Sequence, residues 1–349
     1  MHPQAPDLAR RRLLALASAL LVTSGSTKSA ESKHPPVRVF VDAALAHYGF
    51  PHGHPLGIDR QAAFMREATA QGLLDKVERA PSRVASTDEL ARFHTADYIQ
   101  EVATAEKRGR ELLDDGDTPV FPGVFNAAST VAGAALEGLS QIMSGTCVRT
   151  FQAIGGLHHA ARTHAAGFCV FNDLGVVIET LRHVHGVQRV AYVDIDAHHG
   201  DGVYYGFAND PGVIIADLHQ DSRTLFPGTG REDETGEGAA TGTKLNIEMP
   251  PRAGDAEFLR AWTRVEAHLE KFQPEFYILQ AGADSLKGDP LAQLEYTAAA
   301  HAHATTRLRR LADRHAEGRL MAFGGGGYDR GNLGRAWSTV LRELIVDNS

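Results

Sequence analysis

The stretch Val193-Asp-Ile-Asp-Ala-His-His-Gly-Asp-Gly-Val203 sets the carboxylates of Asp194, Asp196 and Asp201 beside the imidazoles of His198 and His199. It continues the apolar run Arg189-Val-Ala-Tyr-Val193. Such a run ending in acids reads as a buried parallel strand, and open α/β sheets bind ligands at the carboxyl ends of their strands. Extended backbone repeats every second residue, so Asp194, Asp196 and His198 are expected on one face. A D-x-H pair offers oxygen and nitrogen donors to a divalent ion. The competing reading, a solvated acidic turn, does not account for the adjacent histidine pair.

Other strand-like runs also end in chemistry. Phe151-Gln-Ala-Ile154 leads through two glycines to His158 and His159, Phe276-Tyr-Ile-Leu-Gln280 leads to Asp284, and Arg319-Leu-Met-Ala-Phe323 leads through four glycines to Tyr328. If these ends share one rim, Asp196, His198 and Asp284 can hold one metal ion. Two oxygens, one nitrogen and an open position describe a catalytic site. Zinc is the default ion, and iron(II) or cobalt(II) suits the same donors. His158 and His159 are placed for general base and general acid work, with Asp194 and Asp201 as the orienting carboxylates. Tyr328 on its glycine turn can donate to a developing oxyanion. Together these parts predict metal-assisted hydrolysis of an amide. A binuclear manganese ureohydrolase would need more bridging carboxylates, and a non-catalytic metal-binding or partner-binding protein would not need the complete set. His199 is left with a structural role.

The elements that must position these groups alternate between strand and helix. Val37–Val41 and Val213–His219 read as strands. Helical spacing covers Ile58–Ala80, Phe93–Val102, Phe125–Met143, Leu174–Val184, Gly202–Ala208, Asp255–Phe272, Leu294–Ala316 and Asn332–Val346. Ser86-Thr-Asp-Glu89 has the pattern of a helix start. Residues 220–243 form a long loop containing Leu225-Phe-Pro-Gly-Thr-Gly230, and loops of that length in a compact domain are functional or disordered. The expectation is one α/β domain over residues 37–349 with a mainly parallel sheet flanked by helices.

Composition narrows the partners. The 349 residues carry a formal net charge of −8, with 43% hydrophobic and 22% charged residues. No basic patch lies beyond the extreme N-terminus, so direct nucleic-acid binding is not expected, whereas a cationic small molecule or lysine-containing peptide suits the field. The two cysteines, Cys147 and Cys169, are too few for a disulfide framework. Residues 1–36 differ from the rest: Arg10-Arg-Arg12 precedes the apolar run Leu13–Val22, the pattern of a secretory signal of the twin-arginine kind. The alternative is a disordered N-terminal extension. The first predicts export to the periplasm, the second a cytoplasmic chain. No later run is long enough to span a bilayer, and oligomeric state has no readable signature.

Gly155-Gly-Leu-His-His-Ala160, Gly167-Phe-Cys-Val-Phe-Asn-Asp173, Asp194-Ile-Asp-Ala-His-His-Gly-Asp-Gly202, Phe226-Pro-Gly-Thr-Gly230, Gly282-Ala-Asp-Ser-Leu-Lys-Gly-Asp-Pro290 and Gly324–Tyr328 occur in one order over roughly residues 37–345. In these motifs the chain resembles the histone deacetylase family and its bacterial relatives, the acetoin-utilisation and acetylpolyamine amidohydrolase proteins. The resemblance implies the arginase/deacetylase fold, zinc on Asp196, His198 and Asp284, and the roles above for His158, His159, Asp194, Asp201 and Tyr328. It implies a narrow channel for an acetylated aliphatic chain, walled by Gly167, Phe168 and Phe226. It also implies potassium near the zinc, at Asp194, Asp196, His198, Asp217 and Leu218, and a second monovalent site at Phe207, Asp210 and Val213. An acid from the loop near 104–117 would grip the substrate backbone, with Asp114, Asp115 and Asp117 as candidates. At the rim, Leu291 stands where polyamine-selective relatives carry an acid, which argues against acetylspermidine selectivity. The implied substrate is acetyl-lysine or a small acetylated amine.

Overall fold

The computed structural model describes residues 36–114 and 116–346. The signal-like extension, apart from Pro36, and Asp115 lie outside the described residues.

Among the described residues, eight strands form one sheet in the order β2-β1-β3-β8-β7-β4-β5-β6, and every pairing is parallel. The strands are β1 (Arg38–Phe40), β2 (Glu78–Ala80), β3 (Arg149–Gln152), β4 (Val190–Asp194), β5 (Val213–Gln220), β6 (Lys244–Met249), β7 (Phe276–Gln280) and β8 (Leu320–Phe323). The central strands β3, β8, β7, β4 and β5 are buried along their whole length, which is why they read as continuous apolar runs.

Helices α1 (Arg60–Ala70), α2 (Thr87–Leu90), α3 (Ala96–Ala105), α4 (Val124–Met143), α5 (Asp173–His183), α6 (Asp201–Gly206), α7 (Asp255–Phe272), α8 (Ala298–His315) and α9 (Arg330–Ile345) connect and flank the strands. Each crossover returns the chain to the same end of the sheet. Ser86 caps α2 through a reciprocal capping box with Glu89, as its sequence predicts. The interior of α4 is rich in Ala and Gly, so its backbone approaches β1 and β3 closely; a Cβ on Gly138 would meet the Phe40 ring at 3.1 Å.

One local expectation fails. The helical reading of Ile58–Ala80 holds only to Ala70, because Gly72 takes φ +63°, and the chain then forms the short edge strand β2. Strand β6 has no counterpart in the sequence analysis: Lys244, Asn246 and Glu248 interrupt its apolar residues, and its pairing with β5 overrides that composition.

Register brings the site together. Gln152, Phe323, Gln280, Asp194, Asp217 and Asn246 pair in turn across β3, β8, β7, β4, β5 and β6. Interrupted at Phe323, a polar row therefore crosses the sheet at the carboxyl end of β4. From α9, Trp337 Nε1 donates to Ala281 O (3.2 Å) and Gly324 O (2.8 Å), fastening the exits of β7 and β8 where Asp284 and Tyr328 follow.

Candidate active site

Strand β4 ends at Asp194, so Asp196 and His198 do not share a strand face with it as the period-two pattern predicts. The chain turns, and each carboxylate takes a different partner. Asp194 accepts from its own turn at Asp196 N (3.0 Å) and meets His158 Nδ1 at 2.7 Å. Asp196 instead faces His198 Nδ1 at 3.0 Å, and Asp284 reaches the same nitrogen at 3.1 Å. Candidate ligand atoms of Asp196, His198 and Asp284 all lie within 4.8 Å of one another, and all three residues are buried.

This donor set fits a divalent ion. Burial alone would depress the pKa of His198, but the hydrogen bonds and charges of Asp196 and Asp284 outweigh it and raise the value to about 10. Burial and the neighbouring Asp196 charge push Asp284 up to about 7. Two buried carboxylates thus favour positive charge at the point between them. The backbone leaves room for it: a Cβ on Gly326 would press on the carboxylate oxygens of both Asp284 and Asp196.

His158 and His159 stand beside this triad. The glycine turn that carries them is held by Asp173, whose carboxylate accepts from Gly156 N (2.9 Å) and Leu157 N (2.8 Å). His158 Nδ1 pairs with Asp194 and His159 Nδ1 with Asp201 Oδ1, both at 2.7 Å, while the two Nε2 atoms lie 3.1 Å apart. Burial and the positive charge available to His158 lower the pKa of His159. Burial and the charges of Asp217 and Asp196 raise that of Asp194, and Tyr192 OH donates to the same carboxylate. Three buried carboxylates at one spot form a donor set suited to a monovalent cation. The Asp217 carboxylate is shared, however, since it accepts from Gly200 N (2.9 Å) and pairs with His219 Nδ1 (2.7 Å).

The side chains named for the channel converge on the same groups. Phe168, held at φ +67°, lies edge-on to Tyr328 at 5.9 Å between ring centroids, and Phe226 lies edge-on to His159 at 5.0 Å. At Gly167 a Cβ would sit 2.5 Å from the His159 ring and 2.9 Å from Phe226, so only glycine fits between them. Tyr328 is half-buried; burial, then the charges of Asp284 and Asp196, push its pKa well above the ordinary phenol, so it keeps its proton. Leu291 is exposed, with its N–H on Asp289. His199 bonds Thr229 Oγ1 at 2.9 Å and packs at a tilt against the ring of His219, whose Nε2 meets Gly230 O at 2.8 Å. That pair secures the loop bearing Phe226, which is the structural role expected for His199.

Of the loop acids, Asp114 is spent on its own turn, accepting from Gly116, Asp117 and Thr118 N–H groups. Asp117 is exposed and lines a cleft of about 570 Å³ that also includes Gly167 and Phe226.

Several functional neighbours escaped the sequence reading. Gln280 donates to Asp196 Oδ2 (2.9 Å) and accepts from Gly282 N (2.8 Å). Asp289 accepts from Tyr328 N (2.8 Å) and fixes its turn. The buried Arg60 donates to Gly327 O (3.1 Å) and Gly325 O (2.5 Å), clamping the glycine turn from α1. Gln280 stands at a strand end and Asp289 inside a matched motif, whereas no sequence signal marks Arg60.

The family model described as the histone deacetylase domain matches residues 54–344. The chain belongs to the histone deacetylase family. It is 35% identical over 307 residues to the acetoin utilization protein AcuC of Bacillus subtilis, covering 85% of this chain and 79% of that protein. It is 31% identical over 324 residues to the histone deacetylase RPD3 of Saccharomyces cerevisiae, covering 89% of this chain and 73% of the yeast protein. The solved structure of a histone deacetylase homologue complexed with SAHA superposes with a TM-score of 0.81 at 33% identity, covering 90% of this chain and 85% of that one. The single parallel sheet flanked by helices is therefore the arginase/deacetylase fold, and family membership marks the chain as a hydrolase of the deacetylase kind. Among the described residues, no helix is long and apolar enough to cross a membrane.

Proposed function

We propose that this chain is a zinc-dependent deacetylase that hydrolyses the acetyl amide of acetyl-lysine or of a small acetylated amine. One observation carries the reading: two carboxylate–imidazole pairs, His158–Asp194 and His159–Asp201, meet through their Nε2 atoms beside the Asp196–His198–Asp284 cluster.

Asp196, His198 and Asp284 would hold the zinc. When bound, such an ion supplies Lewis acidity, which acidifies a water and polarises the acetyl carbonyl. The chain's own residues do the rest. Phe168, Phe226 and Gly167 admit a slender aliphatic chain and keep bulk water away from the amide. Tyr328 donates its hydroxyl hydrogen to the carbonyl oxygen as negative charge builds there. His158 Nε2 takes a proton from the attacking water, with Asp194 steadying the imidazole at Nδ1. That proton passes across the 3.1 Å gap to His159 Nε2, and His159, which faces Phe226 and Gly167, delivers it to the leaving nitrogen while Asp201 supports the ring's positive form. Acetate and a free amine result. Asp117 at the mouth is placed to accept from substrate N–H groups. A monovalent cation near Asp194, Asp196, His198, Asp217 and Leu218 would relieve the repulsion among the buried carboxylates.

A two-metal ureohydrolase is less well supported, because Asp194 and Asp201, the carboxylates nearest to bridging positions, are committed to imidazoles. The test is acetate release from acetyl-lysine peptides, acetylated polyamines and small acetamides, compared at equal zinc loading. Turnover of at least one class is expected, and a fully loaded chain inert toward all three would overturn the proposal.

A further inference from the structure

The second monovalent site implied by the family resemblance does not fit the residues present. Lys244, the first residue of β6, is 2% exposed, and its ammonium lies in the turn where that ion would belong. Nζ donates to Asp210 O at 2.9 Å, to Val213 O, and to Thr243 Oγ1 at 3.2 Å. Asp210 and Val213 are two of the three residues assigned to the cation. The third, Phe207, uses its carbonyl to accept from Asp210 N at 3.0 Å within the same turn.

An ammonium has three N–H donors and no acceptor, and here three oxygens meet it. A buried charge is tolerated only when its hydrogen bonds are made in this way. Ammonium and potassium are both monovalent, similar in size and suited to carbonyl oxygens, so a cradle built for one holds the other. We propose that Lys244 is a tethered substitute for a monovalent cation: the chain's own ammonium closes the Asp210–Val213 turn, and no free ion binds there.

The surroundings fit a bracketed turn. Arg182 on α5 reaches the Asp210 carboxylate at 3.2 Å and Val187 O at 2.8 Å. His268 on α7 lies against Thr243 O at 3.2 Å, and burial keeps that imidazole low, at about 4. The turn opens directly into β5, the strand that carries Asp217 and Leu218. Lys244 therefore anchors the start of β5 to β6 without dependence on the ionic medium. Burial lowers its own pKa to about 7, against the pull of Asp210, so the ammonium form is best tested at about pH 6.

The experiment counts ions and does not depend on whether the chain deacetylates anything. Wild-type chain and Lys244→Ala are dialysed at about pH 6 against rubidium in a buffer whose other cation is N-methylglucamine. The variant is expected to bind one more rubidium per chain than the wild type, and to recover on potassium addition the melting temperature it loses. Equal rubidium counts, or a loss of melting temperature that no alkali cation reverses, would overturn the proposal. Should the variant fail to fold, rubidium-soaked wild-type crystals decide alone. No anomalous peak is expected between the carbonyls of Asp210 and Val213, and a peak there would contradict the substitution.

Discussion

His158 Nε2 and His159 Nε2 face each other at 3.1 Å, each ring anchored from behind by its own carboxylate. Two imidazoles this close cannot both carry an extra proton, and burial together with its neighbour disfavours the charge on His159. The pair thus favours one protonated ring at a time. Replacing His159 with Ala is expected to lower kcat about 100- to 10,000-fold, the range general acid–base groups supply. Asp201→Asn should fall in the same direction by freeing the ring's tautomer. Steady-state kinetics beside circular dichroism checks both, and near-normal turnover in either variant would remove His159 from the mechanism.

Tyr328 keeps its proton because burial and two nearby carboxylates oppose phenolate formation. The Tyr328→Phe variant removes the donor and leaves the ring against Phe168. Loss of one such donor costs about 100- to 1,000-fold in kcat, with KM and melting temperature little changed. A variant that alters KM alone would assign Tyr328 to binding instead.

Gly326 offers a structural test of the metal cradle. Adding one methyl group in Gly326→Ala drives a Cβ into the Asp284 and Asp196 carboxylates. The predicted outcome is a folded chain with at least tenfold weaker zinc affinity, read by competition with a chromophoric chelator. Unchanged affinity would place the ion elsewhere.

The core alone predicts an acid limit to stability. His94 is buried among Phe93, Tyr98 and Phe171 and accepts from Asn172 N at 2.9 Å. Burial lowers its pKa to about 3. An unfolded histidine takes up its proton below about 6.5, while the folded chain does not do so until about 3. The contribution of neutral His94 is therefore complete above pH ~6.5 and erodes below it by up to about 1.4 kcal/mol per pH unit. Urea titrations at about pH 6.5 and pH 5 should show His94→Gln losing about 2 kcal/mol less than wild type over that interval. Parallel losses in the two chains would contradict the assignment.

How far the sequence spoke for the structure depended on whether a role was local. The strands β4, β5, β7 and β8 stood out because burial on both faces makes them apolar throughout, and the residues just past their ends could be picked out by type. Partnerships were harder. Asp194 and Asp196 are two residues apart, yet one pairs with His158 and the other joins His198 and Asp284, a division made by the turn after β4. Asp114 and Asp117 have the same side chain. Only the folded loop shows the first satisfied by its own backbone and the second exposed in a cleft beside Gly167 and Phe226. Asp173, Gln280 and Asp289 act on backbone N–H groups or side chains brought to them by distant segments, and no spacing announces that. Nothing in the sequence marks Lys244 as buried, because only the fold brings three oxygens around its ammonium.

The central claim is that a single ion on Asp196, His198 and Asp284 is required for amide hydrolysis. The direct measurement is turnover of an acetylated amine by chelator-stripped chain during titration with zinc, with bound metal counted in the same samples. The account predicts no turnover without metal and full recovery at one zinc per chain, with Asp284→Ala failing to recover at the same concentrations. Persistent turnover in the metal-free chain, or a recovery that requires two ions per chain, would contradict it.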